Sequence, residues 1–331
     1  MSNVLTPELR TRVEGALWGQ ACGDAFGMPN SFLKDPLWRV KMEGGPANSP
    51  YHAGYDAGRI TDDTEQAQSL SDAFARSSNT LDYKFAAEEL EAWLDRVGGA
   101  ESLAVGPSTK RAMARIKAGV PIEEAGNSGT TNGAPMRVAA VGVWAAIHSY
   151  SFEQLMIDVH SSCLPTHNTS VAISGAAAVA AAVWAGINGA TWEETLEWAC
   201  KAADAGEELG TWIYAPSISA RIREGIRLVS TVTSERQAAV ILSEVVGMGE
   251  ATAESVPAAF AAAAFANRDA GVAIRIAGNS RGDTDTVAAM AGAISGASRG
   301  AGDIPAEWRD LVAKVNNLNV SAWADQLANA R

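Results

Sequence analysis

Between Leu81 and Val97 the apolar residues Phe85, Leu90, Trp93 and Leu94 fall near one face of a helix, with Glu88, Glu89, Glu91 and Arg96 largely elsewhere. That is the period of an amphipathic helix. The same kind of reading predicts further helices near 8–26, 62–76, 134–148, 151–162, 168–186, 191–204, 210–228, 234–246, 252–266, 283–298, 306–316 and 320–330. Several starts are signalled directly. Thr6 before Pro7 pairs an N-cap with proline in the first turn, and Pro305 stands similarly before Glu307 and Trp308. Ser151 with Gln154, and Thr191 with Glu194, fit the reciprocal capping box. No run alternates apolar and polar residues between hairpin turns. The pattern therefore predicts an all-α fold.

Alanine and glycine recur inside these helices, and small side chains let helix backbones approach closely. A compact bundle of many helices around one core, spanning 1–331 as a single domain, is the simplest architecture. Asn168 to Trp192 carries no charge and is long enough to span a bilayer. It is mostly Ala, Gly, Ser and Thr, so a buried core helix is expected. Glycine-rich loops concentrate at Lys41–Gly58 and Gly126–Gly133, where a functional site is more at home than a linker.

Composition narrows the function. The chain has 331 residues, 47% of them hydrophobic and 19% charged, and a net charge of −12. It is expected to be globular, and such charge disfavours nucleic acid as a partner. Cys22, Cys163 and Cys200 are far apart and odd in number, which suits a reducing compartment. The first twelve residues lack an apolar signal core. A cytoplasmic, monomeric protein without membrane association is expected.

Two acidic clusters stand out. Thr61-Asp62-Asp63-Thr64-Glu65 is, on its own, an ordinary helix start, with a capping threonine and acids at the positive end of the dipole. Gly282-Asp283-Thr284-Asp285-Thr286 opens a second small-residue helix. It is not an EF-hand loop, because Ala288 and Ile294 occupy the positions that need Gly and Glu. Together the two turns offer hard oxygen donors of the kind Mg²⁺ and Mn²⁺ favour. Four carboxylates brought together without cations would repel strongly. Thr130 to Arg137 has the makings of an ordinary loop-to-helix junction, with Gly133 permitting close backbone approach. Pro165-Thr166-His167-Asn168 opens the alanine-rich helix. A lone histidine there is more often structural than catalytic, and His52, His148 and His160 lack supporting context.

Taken together, these segments resemble the ADP-ribosylglycohydrolase family, in family order along nearly the whole chain. They are Gly15 to Pro29, Thr61 to Thr64, Asn132 to Arg137, Thr166-His167, Ser255 to Ala259 and Gly282 to Thr286. The last is the most specific. The resemblance implies an all-α fold with a two-metal cleft, holding two divalent cations, Mg²⁺ or Mn²⁺. Thr61, Asp62 and Asp63 would face Asp283, Asp285 and Thr286 as ligands. Asn132, Gly133, Ala134 and Met136 would contact the ribose or phosphates, His167 would lie beside the ribose, and Asp24 and Asn30 would join the substrate-binding set. The family hydrolyses the bond at C1 of ribose and releases ADP-ribose from an ADP-ribosylated protein or small conjugate. Asp63 or Asp283 would accept the proton of the attacking water.

One departure matters. Relatives commonly follow this first segment with a glutamate near the substrate, whereas here Gly27-Met28-Pro29 leads to Asn30 and Ser31. Either Asp24, Asp56 or Glu65 takes its role, or the substrate differs. That keeps open an N-ribosyl or other glycoside hydrolase of a smaller metabolite without ADP. A non-catalytic metal- or ligand-binding relative is disfavoured by the intact acidic sets, and a two-metal phosphatase by the motif order. An ADP site needs an aromatic platform, for which Phe32, Tyr51, Tyr55 and Tyr214 are the candidates.

Overall fold

The computed structural model describes residues 5–103 and 105–329. Among them are sixteen α-helices in chain order. These are α1 (Pro7–Gly27), α2 (Asp62–Arg76), α3 (Tyr83–Arg96), α4 (Pro107–Lys117), α5 (Ile122–Ala125), α6 (Ala139–Ile147), α7 (Phe152–His167) and α8 (Ser170–Ile187), followed by α9 (Trp192–Glu207), α10 (Ile218–Val229), α11 (Glu235–Ile241), α12 (Thr252–Phe265), α13 (Ala270–Gly278), α14 (Thr284–Arg299), α15 (Ala306–Asn316) and α16 (Val320–Asn329). No strand occurs among the described residues. Two isolated bridges pair Thr131 with Ala251 and Thr169 with Thr211. The all-α expectation holds. Residues 1–4, 330 and 331, the ends of the expected single domain, lie outside the described residues.

The capping signals act as the sequence implies. Thr6 accepts from Leu9 N at 3.3 Å, and both capping boxes form at Ser151/Gln154 and Thr191/Glu194. Four expectations change. Residues 134–138 form turns, and α6 starts only at Ala139. Pro165, Thr166 and His167 close α7 and do not open α8; proline in a last turn disturbs only the bond to the residue four before it. The expected helix at 210–228 begins at Ile218, because Pro216 holds its predecessor extended. Helices α4, α5 and α13, of eleven, four and nine residues, were not anticipated.

Helix α8 is buried along its length except at Trp184 and packs on α6, α7, α9, α12 and α14. It is long and apolar enough to cross a membrane, but here it is the centre of one contiguous core. A small second cluster (Leu90, Trp93, Leu94, Val105 and Met113) fastens α4 to α3.

The closest packing is between α1 and α14, which run antiparallel. A Cβ on Gly15 would lie 2.3 Å from Gly296 O, one on Gly19 2.0 Å from Gly292 O, and one on Gly23 2.1 Å from Ala288 O. The reverse contacts, Gly292 to Gly19 O and Gly296 to Gly15 O, are as short at 2.1 and 2.0 Å. No side chain fits between the two backbones. Thr284 locks the register by donating to Gly27 O at 2.8 Å.

Gly19→Ala is therefore expected to destabilise the protein by about 1–3 kcal/mol through overpacking, although alanine is the better helix former by about 1 kcal/mol. Gly302→Ala, with nothing within 4 Å of the new methyl, should stay within about 0.5 kcal/mol of the parent. Urea denaturation of both variants checks this, and equal midpoints would refute it.

A second expectation concerns Asp158 on α7. Its Oδ1 accepts from Leu81 N at 2.8 Å, but its Oδ2 is buried without a partner. Burial raises its pKa to about 7, above the unfolded value near 3.9. The folded state then binds the proton more tightly, so stability from this group is greatest below about pH 4 and falls as pH rises through about 7. Asp158→Asn should gain thermal stability over the parent progressively across that window and hold the gain above it. A gain as large at pH 4 as at pH 8 would contradict the assignment.

Candidate active site

The antiparallel pairing places the C-terminal end of α1 beside the N-terminal end of α14. Asp24 then fixes α2 at the same place. Its buried carboxylate accepts from Thr61 N (2.9 and 3.0 Å), Thr61 Oγ1 (2.7 Å), Thr64 N (3.2 Å) and Thr64 Oγ1 (2.6 Å). Gln20, one turn earlier on α1, donates to both Asp63 O and Met136 O at 2.8 and 2.9 Å. Two helix N-termini and the 130–138 turn thus meet on one end of α1, and the positive ends of α2 and α14 favour the acids they carry.

On α14 the approach to Asp283 needs glycine. Gly282 has φ of +109°, and a Cβ there would lie 2.1 Å from Met248 O. Asp283 N then donates to Met248 O at 2.6 Å. Asn132 donates its Nδ2 to Asp283 Oδ2 at 2.6 Å and its backbone N–H to Glu250 O at 2.8 Å. Asp285 accepts from Ser31 Oγ at 2.9 Å and stands 3.8 Å from His52 Nε2. Asp62 accepts from Gln66 Nε2 at 3.3 Å. Asp63 accepts from Thr61 Oγ1 at 3.0 Å with one oxygen, while its other oxygen is buried with no partner.

The four acids feel one another. Burial is the first cause that raises Asp62, Asp63 and Asp283 well above the usual carboxylate range. Asp285 adds to it for all three, and Asp24 adds to it for Asp62 and Asp63. Asp24 is raised to about 7 by burial, against the lowering effect of its Thr64 and Thr61 hydrogen bonds. Among the described residues, no three His, Cys, Asp or Glu side chains stand close enough together to hold one metal ion.

These groups border a cleft of about 290 Å³. Of the residues expected from the sequence, Asp62, Asp283, Asp285, Thr286, Asn132, Gly133 and Met136 line it. Thr61, Asp63 and Ala134 are buried behind this surface. Three residues of the expected substrate-binding set do not line the cleft. Asp24 is fully engaged by Thr61 and Thr64 and does not line the cleft. Asn30 is a buried strut, its Nδ2 donating to Gly278 O at 2.9 Å and Leu37 O at 3.1 Å. His167 lies behind the loop, with its ring nitrogens at 2.7 Å from Thr166 Oγ1 and 3.0 Å from Thr131 Oγ1. A Cβ on Gly133 would come within 2.6 Å of that ring. Burial first, then Arg137 and Arg111, push its pKa well below the normal range, so the imidazole is neutral and supports the loop.

The same holds for the expected stand-ins for the absent glutamate. Neither Asp56 nor Glu65 lines the cleft, and Glu65 faces Arg59 and Trp93 Nε1 at 3.2 and 2.9 Å. The carboxylate that does line it is Glu250, which sequence reasoning missed. Ser31, His52, Thr109 and Lys110 were missed as well. The glycine-rich character of 41–58 was the available signal for His52. Of the aromatic candidates, Phe32 and Tyr51 reach the cleft and meet edge to face at 5.5 Å. Phe32 has a φ of +54° and donates its N–H to Gly282 O at 2.7 Å. That is an uncommon conformation for a bulky residue. Tyr55 does not line the cleft, and Tyr214 is 83% exposed on another surface.

Comparison with known proteins gives a consistent picture. A family model described as ADP-ribosylglycohydrolase matches residues 5–331. YegU of Escherichia coli strain K12 is 31% identical over 328 residues, covering 97% of each chain. The ADP-ribosylarginine hydrolase Tri1 of Pseudomonas putida strain GB-1 is 29% identical over 316 residues, covering 93% of this chain and 76% of its own. Among solved structures, an ADP-ribosylglycohydrolase-related protein complex superposes with a TM-score of 0.67 at 26% identity, covering 98% of this chain and 99% of its own.

Removing the Asp24 carboxylate would take the acceptor from the Thr61 and Thr64 backbone N–H groups and the Thr64 hydroxyl. Asp24→Ala should lower stability by about 2–4 kcal/mol and impair activity together with it. Chemical denaturation reads the first effect. An unchanged midpoint would show that Asp24 does not anchor α2.

Proposed function

The chain belongs to the ADP-ribosylglycohydrolase family and is a glycosidase of ADP-ribose conjugates; on that premise we propose that it releases ADP-ribose from an ADP-ribosylated protein or small conjugate with the help of two divalent cations, Mg²⁺ or Mn²⁺. The observation that supports this most is the gathering of Asp62, Asp63, Asp283 and Asp285 on two helix N-termini, with one Asp63 oxygen buried and partnerless. Like charges so placed hold themselves apart, and hard cations are the natural counter-ions for such an oxygen set. Thr61, Asp62 and Asp63 from α2, and Asp283, Asp285 and Thr286 from α14, are the residues that would hold them. When bound, the cations supply Lewis acidity toward water and the ribose hydroxyls.

The remaining roles belong to the chain itself. Water adds to C1 as the bond to the leaving group breaks, through an oxocarbenium-like transition state. Asp63 or Asp283 takes the water proton, and Asn132 fixes the Asp283 carboxylate for that task. Gly133 and Met136 meet the ribose or phosphates, and Phe32 and Tyr51 offer the aromatic platform. Glu250, on the cleft wall, is the carboxylate placed to serve the leaving group in place of the missing glutamate.

A second reading, hydrolysis of a smaller riboside, is favoured by the buried position of Asn30 and by a cleft at the lower end of the usual ligand-site range. One panel separates the two: ADP-ribosylated arginine and serine peptides, other ADP-ribose conjugates and simple ribosides, each with Mg²⁺, Mn²⁺ or EDTA. The likeness to an ADP-ribosylarginine hydrolase puts the arginine linkage first. ADP-ribose release that stops with EDTA is expected. Asp285→Ala should lose metal binding and activity together, by at least the roughly 10–100-fold that loss of an outer-shell partner costs. Turnover of simple ribosides alone would establish the second reading, and release that persists in EDTA would overturn the metal assignment.

A further inference from the structure

The cleft is chemically lopsided. Its lining carries Asp62, Asp283, Asp285 and Glu250, in a chain of net charge −12. The start of α4 borders the same cleft, and it carries Lys110. Lys110 is partly buried and makes no ion pair among the described residues. Its neighbour Thr109 is only 2% exposed and lines the same cleft, yet its hydroxyl has no hydrogen-bond partner among the described residues. A buried hydroxyl left open toward a cleft is a donor awaiting a ligand.

The backbone there points the same way. The helix is capped by Gly106, which has no side chain to offer, and its first residue, Pro107, has no N–H. Lys110 N is already bonded to Gly106 O at 3.1 Å. The Thr109 N–H is therefore left at the positive end of an eleven-residue helix, beside a hydroxyl and an ammonium group. The platform is stiff, because Val105 and Met113 bind this turn to Leu90, Trp93 and Leu94 of α3. Ser108, facing away, takes hydrogen bonds from Thr131 Oγ1 at 3.0 Å and Arg111 at 3.2 Å, which ties the rim to the loop that presents Gly133.

We propose that Lys110, with the Thr109 hydroxyl and the open first turn of α4, is an anion subsite that selects ribosyl substrates carrying a diphosphate over uncharged ribosides. The proposal rests on the reading of the cleft as an ADP-ribosyl hydrolase site. It assigns the substrate an orientation, with the ribose toward the acids and the phosphates toward α4. An ammonium group serves here as a point charge for phosphate, so arginine should replace it tolerably and a neutral side chain should not.

Isothermal titration in Mg²⁺ buffer would compare the parent with Lys110→Met, Lys110→Arg and Thr109→Val, using ADP-ribose, inorganic pyrophosphate and ribose as probes. Lys110→Met is expected to weaken ADP-ribose and pyrophosphate about tenfold or more, with Lys110→Arg keeping most of the affinity and ribose binding unmoved by charge. The kcat/KM of Lys110→Met should fall more for an ADP-ribosylated peptide than for a phosphate-free riboside, mainly through KM. Raising the salt concentration should erode pyrophosphate binding in the parent more than in Lys110→Met. Equal affinities of parent and Lys110→Met for both anions would overturn the subsite and leave the ADP-ribosyl reading standing. Pyrophosphate binding through Lys110 in a parent that frees no ADP-ribose from any conjugate would keep the anion site and overturn both the ADP-ribosyl reading and the selectivity assigned to it. A parent that binds neither anion overturns both.

Discussion

The contact on which the structure depends is the one between the backbones of α1 and α14. Glycines at 15, 19, 23 and 27 face Gly296, Gly292, Ala288 and Thr284 with no side chain between them. Close approach gives dispersion contact along both helices, and its four-residue spacing admits few registers. Because Asp24 sits beside Gly23, and Asp285 next to Thr284, that register also decides which carboxylates share the cleft. A slip of one turn would move Asp285 about 5.4 Å along the axis, away from Ser31 and from the acids of α2.

What this register assembles is electrostatically costly. Asp62, Asp63 and Asp283 are pushed well above the normal range, burial being the first cause. Asp24 shows how the same fold settles a carboxylate when it chooses to: four donor groups from two threonines surround it. The contrast between a fully satisfied acid and its under-satisfied neighbours separates scaffold from chemistry within a few residues of each other. Local conflicts of this kind are expected at functional sites.

Much of this was legible in the sequence because it is local. Capping boxes, the amphipathic face of α3 and the two acidic turns are written in contiguous residues, and they survive in the structure. What was not legible depends on partners distant in the chain. Asn30 and His167 look like site residues by motif, but Gly278 O and the Thr131 and Thr166 hydroxyls take up their polar atoms. Conversely, His52, Lys110 and Glu250 carry no motif. Lys110 reaches the cleft because the start of α4 is held against α3, and Glu250 because the segment after α11 pairs with residues 130–132. Helix α4 itself escaped notice because its buried side is short and partly polar, built from Ser108, Thr109, Ala112 and Met113.

The α1–α14 pairing also has a consequence for the order in which the protein can be made. Chains emerge from the ribosome N-terminus first, so α1 is released with its glycine face uncovered while the roughly 250 residues that separate it from α14 are still to be synthesised. Throughout that interval the acids of α2 have no partners from α14, and the cleft has only one side. The site is thus assembled only once α14 has been made, and a chain interrupted before α14 carries an uncovered stripe of small residues on α1 and no complete acidic centre. Contacts this distant in sequence are entropically slow to form, which makes α14 the helix whose arrival completes both the α1 pairing and the acidic site.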